Sequence, residues 1–110
     1  MNWKTLESVD DLSSLISESN HTPQLIFKHS TRCSISVMVK NRLEREFVPS
    51  PAIFHYLDLL NYRPLSAAIA DRFQVHHESP QALLIYKEEC IYDESHNAIA
   101  MDEIIEQLPK

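Results

Sequence analysis

The readiest nucleophiles in this sequence are two cysteines, Cys33 and Cys90, 57 positions apart. Two thiols cannot make a disulfide scaffold, and in a reducing compartment both are expected to be free. Cys33 stands in Thr31-Arg32-Cys33-Ser34-Ile35-Ser36, after a short apolar run and before an amphipathic segment. A cysteine at the start of a helix meets the partial positive charge and the unpaired N–H groups of that end. Arg32 adds a full charge, and both effects favour the thiolate, which is the nucleophile. Three positions on, where a C-x-x-C motif has its second thiol, stands Ser36. The hydroxyls of Ser34 and Ser36 can hydrogen-bond a sulfur anion; they cannot close a disulfide. Exchange at Cys33 is therefore expected to be monothiol. It attacks one sulfur of a target disulfide, holds one half, and is released by an external thiol. The polar flanks, Ser30 to Ser36, speak against an inert core position. Cys90, beside Ile91 and Tyr92, reads as a strand residue rather than a resolving thiol.

Other chemistries find less support. Six histidines are present, but no H-x-x-x-H or C-x-x-C spacing organises them, so no metal site is expected. His29 and His77 are candidates to tune Cys33 or to protonate a leaving thiolate. Glycine is absent, which excludes the glycine-rich turns that cradle nucleotide phosphates. A net charge of −6 disfavours nucleic acid and anionic membranes as partners. No apolar run is long enough to span a bilayer, and the first residues lack a signal-peptide pattern. A single cytoplasmic domain over residues 1–110 is expected, acting as a monomer.

The elements that position Cys33 follow from periodicity. Residues 8–19 read as a helix with Val9, Leu12, Leu15 and Ile16 on one face, opened by a capping-box-like Ser8 and Asp11. Gln24 to His29 is a buried strand. Residues 34–47 form a helix whose apolar face is expected to be Ile35, Met38, Val39, Leu43 and Phe47. Residues 52–59 read as a strand, Pro64 opens a helix running to Phe73, and 74–80 is a polar connection. Gln81 to Tyr86 is a second buried strand, Glu88-Glu89 a turn, and Cys90 the start of a return strand. Met101, Ile104, Ile105 and Leu108 line a last helix. A short strand near Trp3-Lys4-Thr5 is also expected, with Trp3 packed at the sheet edge. The first strands, joined by helices, should run parallel, and the last two should form a hairpin. With a cysteine at a strand-to-helix junction, this is the pattern of a single-domain thioredoxin-like α/β sandwich. Its central mixed sheet has four or five strands and is flanked by about four helices. Such folds place a cis-proline before a central strand, and Pro80 has that position. Thr31, Ser79 and Pro80 would then form the surface along which a substrate chain lies.

Thr31-Arg32-Cys33-Ser34-Ile35-Ser36, read with His77-Glu78-Ser79-Pro80-Gln81, resembles the monothiol bacilliredoxins of the YtxJ type, whose motifs read T-R-C-P-I-S and H-E-S-P-Q. Phe27-Lys28-His29-Ser30, Asp58, Arg63-Pro64 and Ser95-His96 extend the likeness over most of the chain. The resemblance implies a thiol-disulfide oxidoreductase that holds no tightly bound cofactor. Its co-substrate would be bacillithiol, a cysteine–glucosamine–malate thiol, which it would remove from S-thiolated client proteins with Cys33 as nucleophile. Lys28 and Arg63, read as a surface strand end and helix start, could offer charge to the malate. Ser34 departs from the family's proline, restoring an N–H beside the sulfur and adding a hydroxyl. The alternative is a thioredoxin-like sensing or adaptor module in which Cys33 is modified without turnover.

Overall fold

A computed structural model describes residues 1–109. The chain runs β1 (Lys4–Thr5), α1 (Val9–Glu18), β2 (Gln24–His29), α2 (Ser34–Arg45), β3 (Ile53–Asp58), α3 (Arg63–Phe73), β4 (Gln81–Tyr86), β5 (Glu89–Ser95), a 3₁₀ turn (His96–Ala98) and α4 (Met101–Glu106). The strands form one mixed sheet in the order β1-β3-β2-β4-β5. β2 is central, and all six of its residues are buried, as a strand covered on both faces requires. Alternation sends Leu25 and Phe27 to one face and Ile26 and Lys28 to the other. The first face packs Phe54, Leu84, Val39, Leu43, Met101 and Ile104 around Leu25 and Phe27. The second packs Leu12, Leu15, Leu65, Ile69, Leu83 and Ile85 around Ile26.

The helix over 8–19 is α1, and Ser8 caps it by accepting the Asp11 N–H on its hydroxyl at 3.1 Å. Asp11 completes the cap one residue earlier than a standard box, taking the Glu7 N–H at 3.0 Å. Trp3 stacks on Phe27 with ring centroids 5.7 Å apart, and its Nε1 donates to Glu44 at 2.7 Å, fastening the N-terminus to α2.

β1, β2 and β3 are parallel as expected, and β4 runs antiparallel to β2 although a helix joins it to β3, which makes the sheet mixed. α3 carries the chain to the far end of the sheet, where Arg72 meets Glu88 of the hairpin turn. Residues 74–80 then bring it back. Seven residues reach roughly 23 Å, enough to retrace a six-residue strand of about 20 Å. The hairpin turn is Lys87-Glu88, one residue before the expected position, with both residues left-handed at φ 54° and 67°. The buried face of α2 is Ser36, Val39 and Leu43, while Ile35 and Met38 lie 45% and 47% exposed.

Candidate active site

Cys33 is the N-cap residue of α2, half-buried and extended, with φ −102° and ψ 117°. Its N–H donates to the Ser30 carbonyl at 3.2 Å, and its carbonyl receives the Val37 N–H at 3.0 Å. The first-turn N–H groups of Ser34, Ile35 and Ser36 are those an α-helix leaves without intrahelical partners. The cysteine thus sits where a helix offers donors to an anion. Ser34 is the exposed first residue of α2, the place where a proline is best tolerated. Thr31 and Arg32 form the exposed turn before it. Together with Leu60, Asn61 and Arg63 they line an open groove of about 280 Å³.

Behind the cysteine the chain is tightly tied. Ser36 is fully buried. Its hydroxyl accepts the Ser30 N–H at 3.0 Å and bonds His29 Nδ1 at 2.7 Å. His29 is buried on the α2 face of the sheet, stacked on Phe27 and tilted against Tyr56. Burial lowers its pKa first and the Lys40 ammonium lowers it further, against an opposing pull from Asp58, so the ring stays neutral near pH 7.

β4 begins where β2 ends, with Gln81 opposite Lys28. The Ser79–Pro80 peptide is cis and Pro80 is buried, so the register brings this pair to the end of β2 from which Cys33 follows. The Pro80 carbonyl accepts the His96 N–H at 2.9 Å, and Gln81 Nε2 donates to the His76 carbonyl at 2.8 Å. Thr31, Arg32, Cys33, Ser34 and Ser79-Pro80 therefore gather at one end of the sheet. His29 and Ser36 lie just beneath.

His77 lies apart from His29, on the opposite face of the sheet. Its Nδ1 is 3.2 Å from the Ser66 hydroxyl and 3.3 Å from Lys28 Nζ. Burial and the Lys28 charge lower the His77 pKa. Lys28 is not at the surface, as its place near a strand end suggested. It is fully buried, its ammonium donating to the Ser66 carbonyl at 3.1 Å, and burial pushes its pKa down to about 8. The signal was present: a lysine inside a strand apolar on both faces has no route to solvent. Ser66 and Asn61 carried no such signal. A serine in Leu65-Ser66-Ala67-Ala68 looks like an ordinary small helix residue, and Asn61 like a turn residue.

Cys90 is at the other end of the sheet, opposite Ile85, which in turn lies near Gln24 at the start of β2. Five strand residues, roughly 16 Å, separate that level from His29, far beyond the ~7 Å that a disulfide spans between Cα atoms. Burial, and to a lesser degree Asp93, push its thiol up to about 11. Among the described residues, no three His, Cys, Asp or Glu side chains converge as metal ligands. Among the same residues, no helix is long and apolar enough to cross a membrane.

The comparisons with known proteins agree with this geometry. A solved thioredoxin-fold structure assigned as an oxidoreductase superposes with a TM-score of 0.79 at 28% identity, covering 94% of this chain and 90% of its own. Mitochondrial thioredoxin 3 of Saccharomyces cerevisiae matches with a TM-score of 0.74 at 14% identity, covering 96% and 95% of the two chains. Thioredoxin of Malassezia sympodialis gives 0.72 at 12%, with 87% and 80% covered. These two show the fold alone. The family model of the monothiol bacilliredoxin BrxC matches residues 4–104, taking in Cys33, Ser36 and the Ser79-Pro80 pair. With its single site cysteine at the head of α2, the chain belongs to the monothiol bacilliredoxins, thiol-disulfide oxidoreductases of the thioredoxin fold.

Proposed function

We propose that the protein strips a low-molecular-weight thiol, bacillithiol in a host that makes it, from S-thiolated proteins through Cys33. One observation carries this reading. Cys33 stands half-exposed at the N-cap of α2, while the other thiol of the chain lies at the opposite end of the sheet. The Cys33 sulfur attacks the small-thiol sulfur of a mixed disulfide. The old S–S bond breaks, the client leaves as a thiolate, and Cys33 carries the small thiol. A second small thiol attacks that adduct and returns Cys33 as thiolate. Arg32, Ser34 and the α2 first turn support the sulfur anion. Thr31, Ser79 and Pro80 form the surface for the client chain. Ser36 and His29 hold the turn beneath, and His77 holds the 74–80 connection against Lys28.

The test is intact-mass spectrometry of wild type, Cys33→Ser and Cys90→Ser, each mixed with a bacillithiolated client. Wild type and Cys90→Ser are expected to strip the client and gain one bacillithiol, and Cys33→Ser to do neither. A wild-type adduct that forms once and is never released by added thiol would instead favour a sensing module. A client left fully modified in every tube would remove bacillithiol as the substrate.

A further inference from the structure

The groove beside Cys33 contains two arginines that take part in no ion pair among the described residues. Arg32 lies in the turn before the cysteine and Arg63 is the first residue of α3; Thr31, Leu60 and Asn61 complete the lining. The ion pairs among the described residues are elsewhere: Lys40 with Glu44, Arg72 with Glu88, and His76 and His96 with Glu78. Among the described residues, neither guanidinium has an ion-pair partner. The closest acid in the sequence of this end, Asp58, takes the Asn61 amide N–H on one oxygen at 2.7 Å, and its other oxygen is buried. Asp58 lines the neighbouring hollow with Glu7 and Tyr62 instead. In a chain of net charge −6, two free cations facing one hollow next to the nucleophile mark the place where an anion is tolerated. A guanidinium fork matches a carboxylate in two parallel bonds, and the Thr31 hydroxyl adds a further donor.

We propose that the groove between Arg32 and Arg63 binds a carboxylate of the low-molecular-weight thiol, and so decides which sulfur of the mixed disulfide Cys33 attacks. The proposal rests on the reading of Cys33 given above and adds the recognition of the half it takes. With its carboxylate in the groove, the small thiol presents its own sulfur to Cys33. A bond forms between these two sulfurs, the original S–S bond breaks, and the client departs with the electron pair and is protonated by water. The opposite orientation would leave the client attached to Cys33 and release the small thiol. The step exchanges one disulfide for another, with no net oxidation. A second small-thiol molecule then attacks the same sulfur and leaves as the symmetric disulfide.

The experiment compares one client protein S-thiolated either with mercaptosuccinate, which bears two carboxylates, or with 2-mercaptoethanol, which bears none. For wild type, kcat/KM is expected to be about tenfold higher on the mercaptosuccinate form. Intact mass should show mercaptosuccinate, not client, on Cys33. Arg63→Gln and Arg32→Gln should each bring the ratio of the two rates toward one and let client–Cys33 adducts appear. Arg45→Gln removes the same charge from the exposed far end of α2 and should keep the wild-type ratio. Added salt should shrink the ratio, because the groove is open to water. Equal wild-type rates on the two clients would overturn the proposal while leaving Cys33 as the working nucleophile. So would a ratio that Arg63→Gln does not change, or that Arg45→Gln lowers equally. If wild type reacts with neither client, the reading of Cys33 falls and this proposal with it.

Discussion

Burying an ammonium group normally requires an acid within reach. Lys28 has a carbonyl and an imidazole instead, the Ser66 C=O and His77 Nδ1. Its charged form is therefore disfavoured in the folded protein, and burial brings its pKa down from the usual 10.5 to about 8. The unfolded chain binds this proton more tightly, so folding is penalised below pH 8 and the penalty is relieved as pH rises toward 10.5. Between pH 7.5 and 9.5 the wild type should gain about 2 kcal/mol of stability relative to Lys28→Met, measured by urea unfolding of both proteins at each pH. Equal pH dependence in the two would show that Lys28 is not held in this way. Ser36 presents a different case, because its hydroxyl serves two buried partners. Ser36→Ala leaves the Ser30 N–H and His29 Nδ1 without it, an expected loss of about 2–3 kcal/mol. Chemical denaturation reads this directly, and Ser36→Thr should recover part of it.

At the scale of elements, α2 shows what periodicity conveys and what it misses. A helical pattern of Ile35, Met38, Val39, Leu43 and Phe47 was visible, and the helix is there. Its buried arc, however, is centred on Ser36, Val39 and Leu43. Hydropathy ranks Ile35 above Ser36 as a core residue; hydrogen bonding reverses the order, since His29 and the Ser30 N–H both need a polar partner under the turn. Ile35 and Met38 are left exposed on α2. A crossover helix gives parallel strands when the return is short, and the seven residues after α3 are long enough to run β4 the other way. The hairpin turn moved one place because no glycine announced it. By contrast, the cysteine at a strand-to-helix junction, the serine three positions later and the proline before β4 were legible. Each is a local feature whose meaning depends only on its neighbours. The buried partners of Lys28 and the two-arginine groove were not legible, because both join residues more than 30 positions apart.

At the scale of the whole molecule, the lack of glycine leaves four other residues, among those described, in left-handed conformations: Gln74, Lys87, Glu88 and His96. Each costs about 1 kcal/mol relative to glycine. The hairpin pair is secured by Ser19, whose carbonyl accepts the Lys87 N–H at 2.8 Å and whose hydroxyl accepts the Glu88 N–H at 3.0 Å. Those bonds use backbone donors, which glycine keeps. Lys87→Gly should therefore stabilise the protein by up to about 1 kcal/mol, seen as a rise of a few degrees in Tm. A fall in Tm would mean that the Lys87 side chain over the Tyr86 ring contributes more than the relaxed backbone returns. The separation of Cys33 from Cys90 by the length of the sheet matters at this scale as well. A protein whose two thiols cannot meet has no internal disulfide in which to rest. On the function proposed above, when reducing thiols run short, every molecule that has reacted would stay occupied by what it removed. The protein would then act as a stoichiometric sink, with a capacity set by its copy number, and become a catalyst again only when the thiol supply recovers.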